Sequence, residues 1–390
     1  MTSLRRIVAL GVAFGMFFAG EAARAQQPPG GLTLQGSVKQ VGTWSSNPLM
    51  VTDGASSLWG STTSPELVLR NTTPISLWSF GARVDQSYFN QSSFNSTDVH
   101  ASGDWSRKTE RWSIGIKKAV DYDTTRTSEL TNYGLKTGGV RHLGLNFNPT
   151  VSFRSSPVTT ISLSGTAVES QYDDRDFTNY ATYTVTPSVT RQFDPLNAGV
   201  FSVQARRYRT TRNSATRIDS VSPSLGWQRS FSPTLKANAS VGMQTSKQRN
   251  YGRVVRDWNW QYVFAGGLSF KGIQDTLDLS AARSQYPYGN GTEALQTSLS
   301  LSENHDLNPR LSLKLGASYQ LAEYQTNTTG NLESLADVRT GLAFHATPEL
   351  DVTAEYRYRY ETLTNRTKTA QDNAFMVGLV YRPNVWTLAD

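Results

Sequence analysis

The residues of this chain that could carry acid–base, nucleophilic or metal chemistry are few and scattered. His100, His142, His305 and His345 are the only histidines, and cysteine is absent. A hydrolase would need one histidine beside a nucleophile and an orienting carboxylate. A zinc site would show spacing such as H-E-x-x-H, and a nucleophile elbow would read G-x-S-x-G; neither pattern occurs. The histidines are therefore expected to be polar groups of an interior or an interface. No catalytic residue, cofactor or metal site is expected, and the chain does not read as an enzyme. What remains is a set of charged residues at alternating positions: Arg83, Asp85, Lys117, Asp121, Arg154, Arg206, Lys236, Asp278 and Lys314, then Asp351, Glu355, Arg357, Arg359 and Glu361 on one face of one segment. Charges of both signs among many Ser, Thr, Asn and Gln suit the wall of a water-filled passage, and the last series is the best candidate for a selectivity stripe.

The elements that carry these charges have a period of two. Trp78, Phe80, Ala82 and Val84 alternate with Ser79, Gly81, Arg83 and Asp85; Trp112, Ile114 and Ile116 alternate with Ser113, Gly115 and Lys117. Leu235 to Met243 and Trp258 to Phe270 keep the same beat, and Leu350, Val352, Ala354, Tyr356, Tyr358 and Tyr360 oppose Asp351, Thr353, Glu355, Arg357, Arg359 and Glu361. Such alternation over ten or more residues is β-strand with one apolar and one polar face. The runs are longer than ordinary globular strands and match the roughly 9 to 11 residues that cross a bilayer at a tilt. A mean hydropathy of −0.44 is no obstacle, because an alternating strand hides its apolar half.

Short turns are expected near Pro74, Glu110, Pro157, Pro195, Pro233, Ile273, Pro309 and Pro348, with longer polar loops between them such as Ser45 to Ser57, Asp123 to Gly138, Gln285 to Glu293 and Gln325 to Asn331. Short turns at one rim and long loops at the other are the asymmetry of outer-membrane barrels. The fold expected is an all-β, antiparallel up-and-down transmembrane barrel of about 18 strands, with 16 as the alternative, opening near Leu32 to Trp44 and closing near Asn373 to Tyr381. Both termini then lie on the periplasmic, short-turn side. A soluble sandwich would break into modules of roughly 100 residues, and a β-helix would show shorter repeats.

Four descending strands share a phrase: Pro65-x-Leu67-x-Leu69, Pro149-x-Val151-x-Phe153, Pro187-x-Val189-x-Arg191 and Pro223-x-Leu225-x-Trp227. Proline removes a ladder donor, so these positions are expected to be bulges or register pins, the alternative being that each marks the strand's entry with the membrane crossing shifted. The texture resembles that of the outer-membrane β-barrel proteins encoded with exopolysaccharide and PEP-CTERM (exosortase) systems. That resemblance implies a conduit for polysaccharide export, working with periplasmic partners. The competing expectations are a passive or substrate-selective uptake porin and a structural barrel with no through-channel. The closing strand, with Gly378 and Tyr381, loosely resembles the signal read by the barrel-assembly machinery, although the chain continues through Pro383 and Trp386.

Residues 1–25 read as a secretory signal peptide: Arg5 and Arg6, an apolar stretch from Ile7 to Gly20, and Ala23-Arg24-Ala25. A short segment, 26–30, then leads into a barrel over 31–390. Loss of three arginines and one glutamate takes the formal charge from +7 to +5. That mild excess suits acidic glycans or phosphate-bearing lipopolysaccharide among the outer-membrane lipids, as well as neutral hydrophilic solutes. With export, it argues against nucleic acid even for Arg206-Arg207-Tyr208-Arg209.

Overall fold

The structure, a computed structural model, describes residues 31–125, 139–174, 177–210, 216–287, 293–324, 332–363 and 368–389. The expected signal peptide, most of the Asp123 to Gly138 loop, and the Gln325 to Asn331 loop lie outside the described residues. The strands are β1 (Gly31–Ser45), β2 (Leu58–Thr72), β3 (Ser76–Phe89), β4 (Ser96–Lys108), β5 (Trp112–Thr124), β6 (Arg141–Ser156), β7 (Thr159–Tyr172), β8 (Tyr180–Gln192), β9 (Asn197–Thr210) and β10 (Thr216–Ser230). They continue as β11 (Leu235–Asn250), β12 (Arg253–Lys271), β13 (Asp275–Pro287), β14 (Glu293–Asn308), β15 (Leu311–Tyr324), β16 (Leu332–His345), β17 (Leu350–Leu363), β18 (Lys368–Tyr381) and the short β19 (Trp386–Ala389).

Strands β1 to β18 each pair antiparallel with the next, and β18 returns to β1 from Val38↔Tyr381 to Ser45↔Ala374. The result is a closed barrel of eighteen strands. β19 is a continuation of the closing strand: after a break at Pro383 it pairs with Leu32, Thr33 and Leu34, within the stretch of β1 that β18 leaves open. All eight expected short turns connect strands at one rim. The other rim carries the longer connections, except between β17 and β18, which four residues join, and between β11 and β12. There Tyr251 and Gly252, with φ of 48° and 78°, make the two-residue turn whose backbone matches the strand twist.

Directly paired residues share a face, so the register sorts every strand. One series carries Trp59, Phe80, Trp112, Phe201, Leu225, Val241 and Trp260, all strongly exposed, which makes it the outside of the barrel. Exposed Trp44, Trp59 and Tyr88 lie toward the long-loop rim and Trp105, Trp112, Trp227 and Tyr381 toward the short-turn rim, the two levels of an aromatic girdle. Among the described residues no helix is long and apolar enough to cross a membrane.

The four prolines are not bulges, and this corrects the sequence-based expectation. Each pairs normally with the preceding strand, as Val38↔Pro65, Ile116↔Pro149, Leu163↔Pro187 and Val203↔Pro223 show. Against the following strand, the proline and the residue before it drop out of the ladder. Pairing then resumes in the same register, from Val221↔Thr245 to Ser224↔Gly242 around Pro223 and likewise at the other three. That pattern is what one missing N–H produces. By register, the unserved carbonyls belong to Val84, Gly165, Val203 and Met243, while the opposite bond to the proline carbonyl survives. Replacing Pro223 with valine supplies the donor without moving the register. We expect Pro223→Val to raise stability by about 0.5–1.5 kcal/mol in urea unfolding of the detergent-folded barrel; a loss of stability would mean that proline itself fixes the strand.

The turn between β8 and β9 is held by Asp194. Its Oδ1 accepts from the backbone N–H of Leu196 (2.8 Å) and of Asn197 (2.9 Å), and the Asn197 side chain donates to both carboxylate oxygens (3.0 and 2.8 Å). These donors, the Asn197 amide first, hold the Asp194 carboxyl below the usual carboxylate range. A carboxyl depressed in the folded state stabilises above its unfolded pKa, and the contribution disappears as pH falls through the folded value. Below about pH 4, wild type should therefore lose stability more steeply than Asp194→Asn, measured by urea midpoints across pH.

Candidate functional site: the lumen

Strand parity places all fourteen charged candidates on the face opposite the apolar one. Their surroundings divide them into four regions.

The first region is built by the β13–β14 hairpin. β12 and β13 pair only from Lys271↔Thr276 to Phe264↔Arg283, although β12 runs on to Arg253 and β13 to Pro287. Beyond that point β12 stays with β11, and β13 stays with β14 as far as Pro287↔Glu293. The two pairs part company there. Gln285 accepts a hydrogen bond from the Gln244 amide and donates to Ser246 Oγ, both on the inner face of β11. Glu293 Oε1 meets Arg206 Nη2 of β9 at 2.5 Å. Glu293, Ala294, Leu295 and Gln296 are all buried. Residues that parity assigns to the outside are thus covered by the inner wall of β9–β11, so the described ends of these two strands lie within the bore. They rest beside a buried aromatic layer of Tyr172, Tyr180 and Tyr208, with Tyr180 and Tyr208 centroids 5.7 Å apart. Where β12 and β13 diverge, Arg283 fills the outer notch. It stacks 4.6 Å from the Tyr262 ring centroid, donates to Thr297 Oγ1 (2.7 Å) and grips Glu323 through two bonds of 2.9 and 3.0 Å.

The second region lies on the opposite wall. The connection 46–57 folds inward, and Met50 packs in full burial against Leu335 and Ala370. Asp372 is its anchor. Oδ1 accepts from Ser45 Oγ (2.6 Å), Ser46 Oγ (3.3 Å) and the Asn47 N–H (2.9 Å), and Oδ2 takes Arg359 Nη2 at 2.8 Å. Arg359 also donates to the Pro48 carbonyl (3.2 Å). Asp337 holds Arg339 through bonds of 2.7 and 3.1 Å, and Arg357 lies beside this lattice, 3.9 Å from Asp372. Three members of the lattice, Asp337, Arg339 and Asp372, were not singled out by the alternation. The expected stripe is also divided. Arg359 and Glu361 are sealed beneath the loop, Glu355 and Arg357 stay on the wall below it, and Asp351 binds His345 (2.6 Å) and Arg382 at the short-turn rim.

The third region is an acid-rich stretch of β3–β6. His100 lies between Asp121 and Asp85 (3.1 Å), with Arg83 on Asp85 at 3.1 Å. The other histidines also face an aspartate: His142 with Asp123 (3.0 Å) and His305 with Asp275 (2.5 Å), besides His345 with Asp351. Sequence spacing hides these partners, because cross-strand register supplies them. Both ring nitrogens of His100 are taken by carboxylates, which leaves neither for a nucleophile. No metal-holding group of three His, Asp or Glu occurs among the described residues. The fourth region comprises isolated wall positions. Lys117 lies opposite Asp104 and Asn148; Lys236 and Asp278 flank Ser269; Arg154 faces Thr160, and Lys314 faces Asn304.

Residues 284–383, from the hairpin arm through the closing strand, match the family model described as "Putative beta-barrel porin 2". A search of curated proteins gave no match. Among solved structures the chain is similar to the outer membrane channel DcaP of Acinetobacter baumannii, with 14% identity over 90% of this chain and 97% of that one and a TM-score of 0.46. It is also similar to OpdK of Pseudomonas aeruginosa, crystallised with vanillate, at 11% identity, 90% and 99% coverage and a TM-score of 0.46. OccAB4 of Acinetobacter baumannii gives 10% identity, 91% and 98% coverage and 0.47.

Asp372 supplies the test of the loop anchor. Asp372→Ala leaves Arg359 buried without its carboxylate and should cost about 3–5 kcal/mol in urea unfolding. Adding Arg359→Met should recover a large part of that loss; full additivity of the two changes would show that the pair does not act as a unit.

Proposed function

We propose that this chain is an outer-membrane channel for small hydrophilic solutes, acting without catalysis, with its long loops outside and its termini in the periplasm. The observation that carries the reading is the β13–β14 hairpin held inside the bore by Glu293–Arg206 and by Gln285 on Gln244 and Ser246. An eighteen-strand barrel is wider than its own side chains fill. An inward hairpin on one wall and the 46–57 connection on the other narrow that bore. An extended glycan would have to displace one of them, so uptake of solutes fits better than the export of polysaccharide. The porin family match over residues 284–383 supports the same choice.

Arg83, Asp85, Lys117, Asp121, Arg154, Lys236, Asp278, Lys314, Glu355 and Arg357 are the residues we assign to the passage. Arg206 and Arg359 hold the constricting elements, and Glu361 is buried on the same strand as Arg359. With both signs interspersed on the wall, only weak charge selectivity is expected.

Purified protein in planar bilayers should give stepwise conductance. Glu293→Gln with Arg206→Gln should raise the unit conductance by about twofold as the hairpin is freed, if pore width limits flow. Silent membranes would favour a structural barrel instead, and conductance blocked by anionic polysaccharide would return the reading to export.

A further inference from the structure

The Arg206 to Arg209 run serves two faces. Arg206 points into the bore, whereas Arg207 and Arg209 are on the outside, near the long-loop rim. Register places Arg209, Arg217 and Arg249 directly opposite one another on β9, β10 and β11. The neighbouring row is Arg207, Asp219 and Lys247. Five cations thus share one outer patch, and among the described side chains Asp219 is the carboxylate set among them. Asp219 is divided among Arg207 (2.7 Å), Arg217 (2.8 Å) and Arg249 (3.6 Å). Arg209 donates to Tyr183 Oη (3.2 Å) and lies over that ring. Glu169, on this face of β7, is two strands away from Arg209, across Ala181.

Like charges directly opposite in a ladder repel, and three arginines in one row exceed what one shared aspartate balances. Arg207, Arg217 and Arg249 keep 52%, 42% and 37% of their side-chain surface exposed. Toward the short-turn rim on the same strands the outer face is apolar, with Val221, Leu225, Phe201, Val241 and Met243 exposed. Cations directly above an apolar band stand at headgroup depth, where an outward charge costs little. Guanidinium groups in a row present the forked donors that match phosphate oxygens.

We propose that this patch binds the phosphate-bearing headgroup of a membrane glycolipid whose acyl chains lie along the apolar band beneath it. The site rests on the membrane placement proposed above but not on the channel reading, since it faces away from the bore. The acyl contact is what favours a lipid over free phosphate.

The test uses the full chain folded in detergent and native mass spectrometry with bisphosphorylated lipid A against its dephosphorylated form. Wild type should retain the phosphorylated lipid, and the dephosphorylated one should bind at least about tenfold more weakly. Replacing Arg209, Arg217 and Arg249 together with serine should weaken retention by about tenfold to a hundredfold while leaving bilayer conductance unchanged. Asp219→Asn removes the competing carboxylate and should tighten binding, which keeps the test decisive if the triple variant fails the heat-dependent gel shift of a closed barrel. Arg229→Gln, at the other rim, should change nothing. Equal retention of both lipids, no weakening in the folded triple variant, or a homo-oligomer that buries the patch would overturn the proposal.

Discussion

The structure depends on one constraint: within a bilayer every backbone donor and acceptor must find its partner in the protein, because no water is there to replace it. A single open sheet edge would fail that condition along a whole strand. Here β1 meets it with partners on both sides, β2 over its full length and β18 with β19 on the other flank. All other features are arranged around that closed ladder. Even the four prolines give up one bond each without shifting a register, so the ring keeps its shear and its circumference.

Closure fixes a second property. A barrel of this size has no continuous apolar core; its interior is a wall of polar side chains that must satisfy one another or water. Beside small apolar clusters such as Met50 with Leu335 and Ala370, it buries ion pairs: Asp372 with Arg359, Glu293 with Arg206, and Asp337 with Arg339. Pairs of this kind add little net stability compared with apolar packing, but removing one partner is costly. They therefore specify where the inward elements sit more than how strongly the barrel holds together.

Much of this was legible in the residues. Trp78 to Val84 and Leu350 to Tyr360 announce their faces by period two, and each of the eight turn signals marks a real turn, because local backbone and two-sided solvation decide those features. What periodicity cannot say is what a face packs against. Gln285 and Glu293 occupy outward parity, and their polarity was a sign that this face does not meet lipid. The partner, the inner wall of β9–β11, lies more than thirty residues away and is set by the curvature of the whole ring. Asp372 escaped notice for the same reason: its ligands Ser45 and Asn47 become neighbours only when the ring closes. The prolines misled in the opposite direction. A bulge was one way to accommodate a missing donor, and the chain uses the cheaper one, an omitted bond.

The divided closing strand has a kinetic meaning. Contacts between β1 and the β18–β19 pair join residues separated by more than three hundred positions, the greatest loop-closure cost in the molecule. Local hairpins can form from neighbouring strands as each appears, but the seam must wait for both parts of its partner. Because Pro383 separates them, zipping can halt after Val38↔Tyr381 with Leu32 to Leu34 still bare. The last few residues thus act as a latch: until Trp386 to Ala389 dock, the first strand offers a short template to any other strand nearby.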